Sequence, residues 1–277
     1  MFRQALVLLA ALAALLAVGP AAAATPHRIV SLSPTATESL FAIGAGKQVV
    51  AVDDQSDYPK QAPRTSLSGY TPNVEAIAGY RPDLVVLSGD ANGVVEGLRK
   101  LNIRVLLQPA ATTLPGAYAQ IKQLGTVTGH KRNAAALVAR MKSAIAQTLK
   151  SVPKRKLSVY HELDPTYYSA TSKTFIGRIY KLFGLRNIAD AADSSGSGYP
   201  QLSGEYILSA NPGLIVLADT RCCGQSAAAV AARPGWSGLA AVRSHRVLGI
   251  DDSVASRWGP RIVDFVRAVG KALRRKE

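Results

Sequence analysis

Cysteine is nearly absent from this 277-residue sequence, and the two that occur, Cys222 and Cys223, are adjacent. Two neighbouring cysteines cannot cross-link distant segments, which excludes a fold held together by disulfides. Three alternatives remain for the pair: a vicinal disulfide, two structural thiols, or two ligands of a metal. Two cysteines without further soft ligands make a weak metal site. The fold must therefore depend on a hydrophobic core, which a chain of this length can bury.

Histidine is also scarce, with four residues, and none has the spacing of a metalloprotease motif. The sequence contains neither a GxSxG nucleophile elbow nor a phosphate-binding glycine loop. The one adjacent pair of histidine and carboxylate, His161 and Glu162, falls at the end of a predicted strand, where a structural role is favoured over a catalytic one. The absence of these motifs argues against an enzyme and against a resident metal or cofactor.

Acidic residues are outnumbered, with 18 aspartates and glutamates against 33 lysines and arginines. A basic balance is typical of proteins that bind nucleic acids or anionic membranes. Here the basic residues are scattered, with short clusters only at 154–156 and 274–276, and no nucleic-acid motif accompanies them. We therefore expect no nucleic-acid partner, and a solvated basic surface suited to an anionic membrane is favoured.

The first 24 residues have the composition of an export signal. Arg3 precedes an apolar run over residues 5–18, and small residues follow at 22–24. This order predicts a secretory signal peptide over residues 1–24, since the run is too short to favour a membrane span. An uncleaved anchor is the alternative. Because no cysteine follows the run, lipid attachment is not expected, and we predict a soluble periplasmic protein.

Short apolar runs alternate with helical segments on both sides of a long helical stretch. The runs are apolar throughout, which is typical of parallel strands covered on both faces. Segment 115–152 is predicted to be helical and to connect two lobes, 25–114 and 153–277. The helical spacing in this segment is carried by Ala135, Val138, Met141, Ile145 and Leu149. The predicted helix after the first strand begins at a cap on Thr35 or Thr37.

Two stretches of the sequence nearly repeat each other. "TPNVEAIAGYRPDLVVL" at 71–87 matches "SGEYILSANPGLIVL" at 203–217 with an offset of 130, which aligns Glu75 with Glu205. The repeat predicts two similar lobes. Asn73 and Ser203 are suited to cap helices, which puts each glutamate at the second helical position. Helix stabilisation alone would explain the two carboxylates, but twin exposed carboxylates would also form a two-pronged contact for matched arginines.

The segments "RIVSLSPTATESLFAIG", "DQSDYP", "NVEAIAGYRPDLVV", "YPQLSGEYILSANPGLIV" and "RWGPRIVDF" occur in order along nearly the whole chain after residue 27. Together they resemble the periplasmic binding proteins that deliver cobalamin and ferric siderophores to ABC importers, and the cobalamin-binding members most of all. The resemblance implies an α/β fold of two Rossmann-like lobes with parallel sheets, joined by a single long α-helix, with a ligand cleft between the lobes. It also implies a monomer that delivers its ligand without catalysis.

Site residues follow from the resemblance by position. The family's two exposed glutamates, which dock onto the permease dimer, match Glu75 and Glu205. The cleft residues that the resemblance implies, together with the loop that follows the strand "GLIVLAD", are Ser33, Pro34, Thr35, Asp57, Tyr58, Tyr70, Tyr199, Cys222, Cys223, Arg257 and Trp258.

The chain also departs from the family pattern in its aromatic residues. A tryptophan expected before the first docking glutamate is missing, so that Gly69 and Tyr70 stand in that loop, and Tyr199 replaces a second tryptophan. Cobalamin or a related corrinoid remains the ligand we expect, with a ferric siderophore or haem as the alternatives. A siderophore would require converging arginines, for which the candidates are Arg81, Arg221, Arg257 and Arg261.

Overall fold

The computed structural model describes residues 24–153 and 156–275. The predicted signal peptide, apart from Ala24, lies outside the described residues. Within the described part, no helix is long and apolar enough to cross a membrane.

The first lobe is built on a four-stranded parallel sheet with strand order β2-β1-β3-β4. Every residue of the two central strands is buried, because hydrophobic clusters cover both faces of the sheet. This confirms the predicted parallel sheet. The strands are β1 Ile29–Leu32, β2 Val49–Val52, β3 Leu84–Leu87 and β4 Arg104–Leu107, and the helices are α1 Pro34–Ala42, α2 Val74–Ala78, α3 Val94–Lys100 and α4 Leu114–Val127.

Helix α1 begins earlier than its predicted cap. Its cap is Ser33, whose hydroxyl accepts a hydrogen bond from the backbone N–H of Ala36 at 3.4 Å. The prediction of Thr35 or Thr37 was wrong because Pro34 occupies the first helical position, where its fixed φ angle and its missing N–H cost nothing. The cap therefore lies at the end of β1, in the loop that reaches the cleft.

The predicted helical stretch 115–152 consists of two helices, α4 and α5 Lys131–Lys150. The break occurs at Gly129, whose φ of +80° lies in the left-handed region that favours glycine. The apolar face of α5 was predicted to begin at Ala135, but Ala135 is exposed and Ala134 is buried instead. Helix α5 packs against α4 of the first lobe and against the last helix of the second lobe, so it connects the two.

The second lobe repeats the first, with a parallel sheet of strand order β6-β5-β7-β8. The short strand β6 escaped prediction because it spans two residues. The strands are β5 Ser158–Glu162, β6 Arg186–Asn187, β7 Leu214–Leu217 and β8 Val247–Gly249, and the helices are α6 Phe175–Leu182, α7 Gly204–Ala210, α8 Ala227–Ala231, α9 Ala240–Arg243, α10 Asp252–Ser256 and α11 Ile262–Leu273.

The sequence repeat extends to the strand register. In the first lobe Leu32 pairs with Leu87, and in the second Glu162 pairs with Leu217. Both members of the second pair lie 130 positions after those of the first, the offset of the sequence repeat. The central strand pairs of the two lobes are therefore equivalent residue by residue.

Candidate functional site between the lobes

The loops at the carboxyl ends of β1, β2 and β3 meet at one edge of the first sheet, where open α/β folds bind ligands. They line a cavity of about 310 Å³, which we call the first cavity. Ser33, Asp53 and Ser88 follow the three strands into its wall. The second lobe closes the cavity with α10 and the segment Arg257–Trp258. The site therefore lies between the lobes, as predicted.

A second cavity of about 260 Å³ adjoins the first. Thr112, Lys173 and Tyr199 line it, and Ser256 and Trp258 line both cavities. The indole Nε1 of Trp258 donates a hydrogen bond to Oε1 of Gln120 on α4, at 2.9 Å. Trp258 thus forms a wall between two compartments of one cleft, whose combined size is in the range of small-molecule sites.

The structure brings most of the predicted cleft residues together. The first cavity is lined by Ser33, Pro34, Thr35, Tyr70, Arg257 and Trp258, and the second by Tyr199 and Trp258. Tyr58 lies outside both linings, with its ring centroid 4.3 Å from the guanidinium carbon of Arg261. Asp57 also lies outside both linings and is engaged in ion pairs between the lobes.

A network of ion pairs links the lobes beside the cleft. Arg257 Nη1 lies 2.9 Å from Glu38 Oε1 and 2.8 Å from Asp57 Oδ1. Arg261 Nε donates to Glu38 Oε2 at 2.9 Å, and Arg221 Nη1 lies 3.2 Å from Asp57 Oδ2. Glu38 has 2% of its surface exposed, and a buried carboxylate requires such partners. Sequence reasoning missed Glu38, whose only signal was an acidic residue within an apolar helix.

The network occupies the arginines that an anionic ligand would need. Burial alone would raise the pKa of Asp57, but the hydrogen bond and charge of Arg257, and then those of Arg221, hold it below its ordinary value. A further donor of Arg257, Nη2, is bonded to the backbone oxygen of Gln55 at 2.8 Å. The guanidinium groups are therefore already neutralised by carboxylates of the protein.

Asp53 is a cleft residue that sequence reasoning missed. It follows β2, lines the first cavity and has 1% of its surface exposed. Its Oδ1 has no hydrogen-bond partner among the described residues. Burial raises the pKa of Asp53 to about 6, with hydrogen bonds from Ser56 acting against the shift. The signal available in the sequence was a carboxylate directly after a buried strand.

Glu75 and Glu205 lie at the second residue of α2 and α7, as predicted, and both are exposed. The predicted caps are confirmed as well. The side chain of Asn73 accepts from the N–H of Ala76 at 2.7 Å, and that of Ser203 accepts from the N–H of Tyr206 at 3.1 Å. The two glutamates are therefore held in matched geometry on short, capped helices.

A family model described as "Periplasmic binding protein" matches residues 29–254. The chain belongs to this family. It is 33% identical over 260 residues to YvrC of Bacillus subtilis, described as an uncharacterized ABC transporter substrate-binding lipoprotein, covering 90% of this chain and 80% of that one. It is 32% identical over 257 residues to a cobalamin-binding protein of Halobacterium salinarum, covering 89% and 69%.

Among solved structures, the fold is similar to that of the periplasmic haem-binding protein HutB of Vibrio cholerae. The TM-score is 0.79 at 23% identity, covering 89% of this chain and 98% of that one. This similarity shows the two-lobed architecture of periplasmic binding proteins.

In this periplasmic binding protein the carboxyl edge of the second sheet is filled by side chains. Arg233 forms two 2.6 Å hydrogen bonds with the carboxylate of Glu162, which is fully buried, and its guanidinium lies 4.6 Å from the ring centroid of Trp236. Asp219 is buried beside Glu162, and burial, followed by the negative charge of Glu162, raises the pKa of Asp219 to about 7. Sequence reasoning missed this cluster, because its members are distant along the chain.

His161 has a different partner. Its Nδ1 lies 2.6 Å from the hydroxyl of Tyr180 on α6, and burial lowers the pKa of His161 to about 3, so the imidazole is neutral. Adjacent residues of a strand point to opposite faces of the sheet. His161 and Glu162 therefore make separate contacts, which supports the structural role predicted for them over a catalytic one.

Cys222 and Cys223 are bonded to each other in the loop after β7, which corresponds to the first of the three alternatives. Both are exposed and lie outside the linings of the two cavities. The carboxylate of Asp252 accepts hydrogen bonds from the backbone N–H groups of Arg221 and Cys222, at 3.0 and 2.8 Å. This anchors the loop to α10, next to the cleft.

Proposed function

We propose that this chain is the solute-binding protein of an ABC importer and that it carries cobalamin or a related corrinoid in the cleft between its lobes. The observation that carries the choice of ligand is the charge of the first cavity. The charged residues lining the first cavity are Asp53, Asp252 and Arg257, and Arg257 is already paired with two carboxylates.

The alternative ligands require the opposite charge. Ferric siderophores are usually anionic, and haem carries two carboxylates, so both need free cationic groups in the cleft. Arg221, Arg257 and Arg261 are each paired with aspartate or glutamate. Lys173, which lines the second cavity, is a further cation of the cleft. A corrinoid presents neutral amide groups around its ring, which suits a first cavity whose arginine is already paired with carboxylates.

The walls of the cleft support a large planar ligand. Tyr70 and Tyr199 are exposed, at 79% and 48%, and line the first and the second cavity respectively. Trp258 stands between them as the shared wall. Exposed aromatic rings that face a cleft provide apolar contact area for a ligand. The similarity to the cobalamin-binding protein of Halobacterium salinarum supports the same choice.

The proposed role is capture and delivery without chemistry. In this proposal a signal peptide directs the chain to the periplasm, where it acts as a monomer. Glu75 and Glu205, one on each lobe, would pair with matched arginines of a permease dimer. The similarity to YvrC, described as an ABC transporter substrate-binding lipoprotein, supports a transporter partner.

Titration calorimetry of the purified protein with cyanocobalamin, haemin and an anionic ferric catecholate siderophore tests this function. We expect saturable binding of one cyanocobalamin per chain, weaker or no binding of the two iron ligands, and unmodified cyanocobalamin on recovery. Preferential binding of haemin or of the ferric siderophore would contradict the corrinoid proposal. Chemical conversion of the recovered ligand would contradict the proposal of binding without catalysis.

A further inference from the structure

We infer that Asp53 is a specificity-determining residue of the cleft, which accepts a hydrogen bond from an amide N–H of the ligand. This inference rests on the proposed function and assigns a role to a residue that neither the repeat nor the family resemblance indicated. It predicts which macrocycles the cleft accepts: those with neutral amide substituents rather than carboxylates.

The first step is the incomplete hydrogen bonding of the carboxylate. Asp53 has 1% of its surface exposed, and its Oδ1 has no partner among the described residues. A buried polar atom without a hydrogen bond is costly, and the large majority of such atoms in folded proteins have a partner. Because Asp53 lines the first cavity, a ligand in that cavity can supply the missing donor.

The second step is the glycine that lies against the carboxylate. A Cβ atom at Gly69 would lie 2.9 Å from Oδ2 of Asp53 and 2.8 Å from the backbone oxygen of Leu32, closer than real Cβ contacts. Gly69 and Tyr70 both line the first cavity. The loop therefore approaches the carboxylate closely only because residue 69 has no side chain, and Asp53 remains at the cavity wall.

The third step is the charge around Asp53. Burial is the largest cause of the upward shift in the pKa of Asp53, to about 6. Hydrogen bonds from Ser56 and the charge of Arg257 act against this shift, and the negative charge of Asp54 adds to it. The positive charge of Arg257 is shared with Glu38 and Asp57. At neutral pH the ionised Asp53 is therefore an acceptor that attracts N–H groups and repels carboxylates.

The variant Asp53→Asn tests the inference, with Asp54→Asn as its matched control. Both changes remove one negative charge, but Asp54 does not line the cavity. The probe is cyanocobalamin, measured by calorimetry at pH 7.5. We expect Asp53→Asn to weaken binding by about 10-fold, since the ligand N–H would face a neutral amide in place of a carboxylate, and Asp54→Asn to change it by less than about threefold.

A pH series on the unaltered protein gives a second measurement that does not depend on the folding of a variant. Affinity for cyanocobalamin should fall as the pH drops from 7 to 5, because protonation removes the negative charge that attracts the amide N–H. A merely structural role would not produce this profile. Asp53→Asn should flatten the profile over the same range, and its thermal melting will show that it is folded.

The outcomes separate this inference from the proposed function. Equal affinity of the unaltered protein and Asp53→Asn, or a flat pH series, overturns the role of Asp53 and leaves the corrinoid ligand standing. Tighter binding of haemin than of cyanocobalamin overturns both the selectivity for amides and the proposed ligand. Failure of the unaltered protein to bind any of the three probes overturns the proposed function, and the inference falls with it.

Discussion

The two lobes share a strand order and a register, yet their carboxyl edges differ. The loops of the first sheet open onto a cavity beside Asp53, whereas the edge of the second sheet is filled by Glu162, Asp219 and Arg233. At the equivalent position, 130 residues apart, the first lobe has Leu32 and the second has Glu162. The fold therefore determines where the strands end, and individual side chains determine whether that edge can receive a ligand.

The outer faces of the lobes, by contrast, are alike. Helices α2 and α7 begin with a side-chain cap and carry an exposed glutamate at the same position. A molecule that is symmetric outside and asymmetric within suits the proposed role, since a two-fold permease would contact both lobes while one ligand occupies a single cleft.

The largest expected effect comes from breaking the outer symmetry. Reversing both charges, Glu75→Arg with Glu205→Arg, should abolish uptake of cyanocobalamin by cells that carry the cognate importer, because arginine would face arginine at both contacts. Calorimetry should show unchanged affinity for the ligand. Glu96→Arg is the control, since Glu96 is an exposed glutamate whose partner is Lys100 on the same helix. Normal uptake by the double variant would exclude docking through these glutamates, and lost affinity would place them in the cleft.

The filled edge of the second lobe should be the most sensitive point for stability. Arg233→Ala removes the partner of a fully buried carboxylate, and we expect a loss of about 3–5 kcal/mol in the free energy of unfolding, as for broken buried ion pairs. Lys100→Ala breaks the exposed ion pair with Glu96 in the first lobe, whose Nζ and Oε1 atoms lie 2.7 Å apart. This change should lower the free energy of unfolding by about 0.5 kcal/mol or less. Denaturant titration measures both. Similar losses of stability in the two variants would show that the ion pair of Arg233 and Glu162 does not stabilise this edge.

The open edge of the first lobe should respond to pH. The pKa of Asp53 in the folded protein, about 6, lies above its ordinary value of 3.8. Protonated Asp53 therefore contributes its full stabilising effect below pH 3.8, and this effect is lost as the pH rises through 6. Asp53→Asn should therefore leave stability unchanged at pH 3.5 and increase it by on the order of 3 kcal/mol above pH 6. Thermal melting across this range measures the difference. A gain in stability that does not depend on pH would mean that ionisation of Asp53 is not its cause.

The smallest expected effects test the equivalence of the two lobes. Asn73→Ala and Ser203→Ala each remove one N-cap hydrogen bond and should each cost about 1 kcal/mol of stability. Because the caps lie in different lobes, the double variant should show the sum of the two losses. Denaturant unfolding of the three variants measures these losses. Strongly unequal losses in the two single variants would show that the matched helices are packed differently.

Much of the fold could be predicted from local patterns. Apolar runs placed seven of the eight strands, and the repeat indicated two lobes with one glutamate each, since such patterns depend on residues close together in the chain. In the helices, the prediction missed the cap at Ser33, the break at Gly129 and the buried position of Ala134. These depend on a proline, on a turn and on contact with a neighbouring helix, which periodicity does not record.

The site could be predicted only where a motif marked it. The residues around "SLSP" and "RWGPR" reach the cleft, but Asp53, Glu38 and Arg233 carried no motif. Their importance comes from burial and from partners far along the chain, as with Arg257, which lies 219 residues after Glu38.

By itself, the sequence determined the parallel sheets, the duplicated architecture and the exposed position of Glu75 and Glu205, because alternation of apolar runs and helix caps are local properties. Only the tertiary structure decided which charges are free. It paired the arginines with carboxylates of the opposite lobe and left Oδ1 of Asp53, at the cavity wall, without a partner among the described residues. Burial raises the cost of a charge or a polar atom without a partner, and burial is set by packing rather than by any single stretch of the chain.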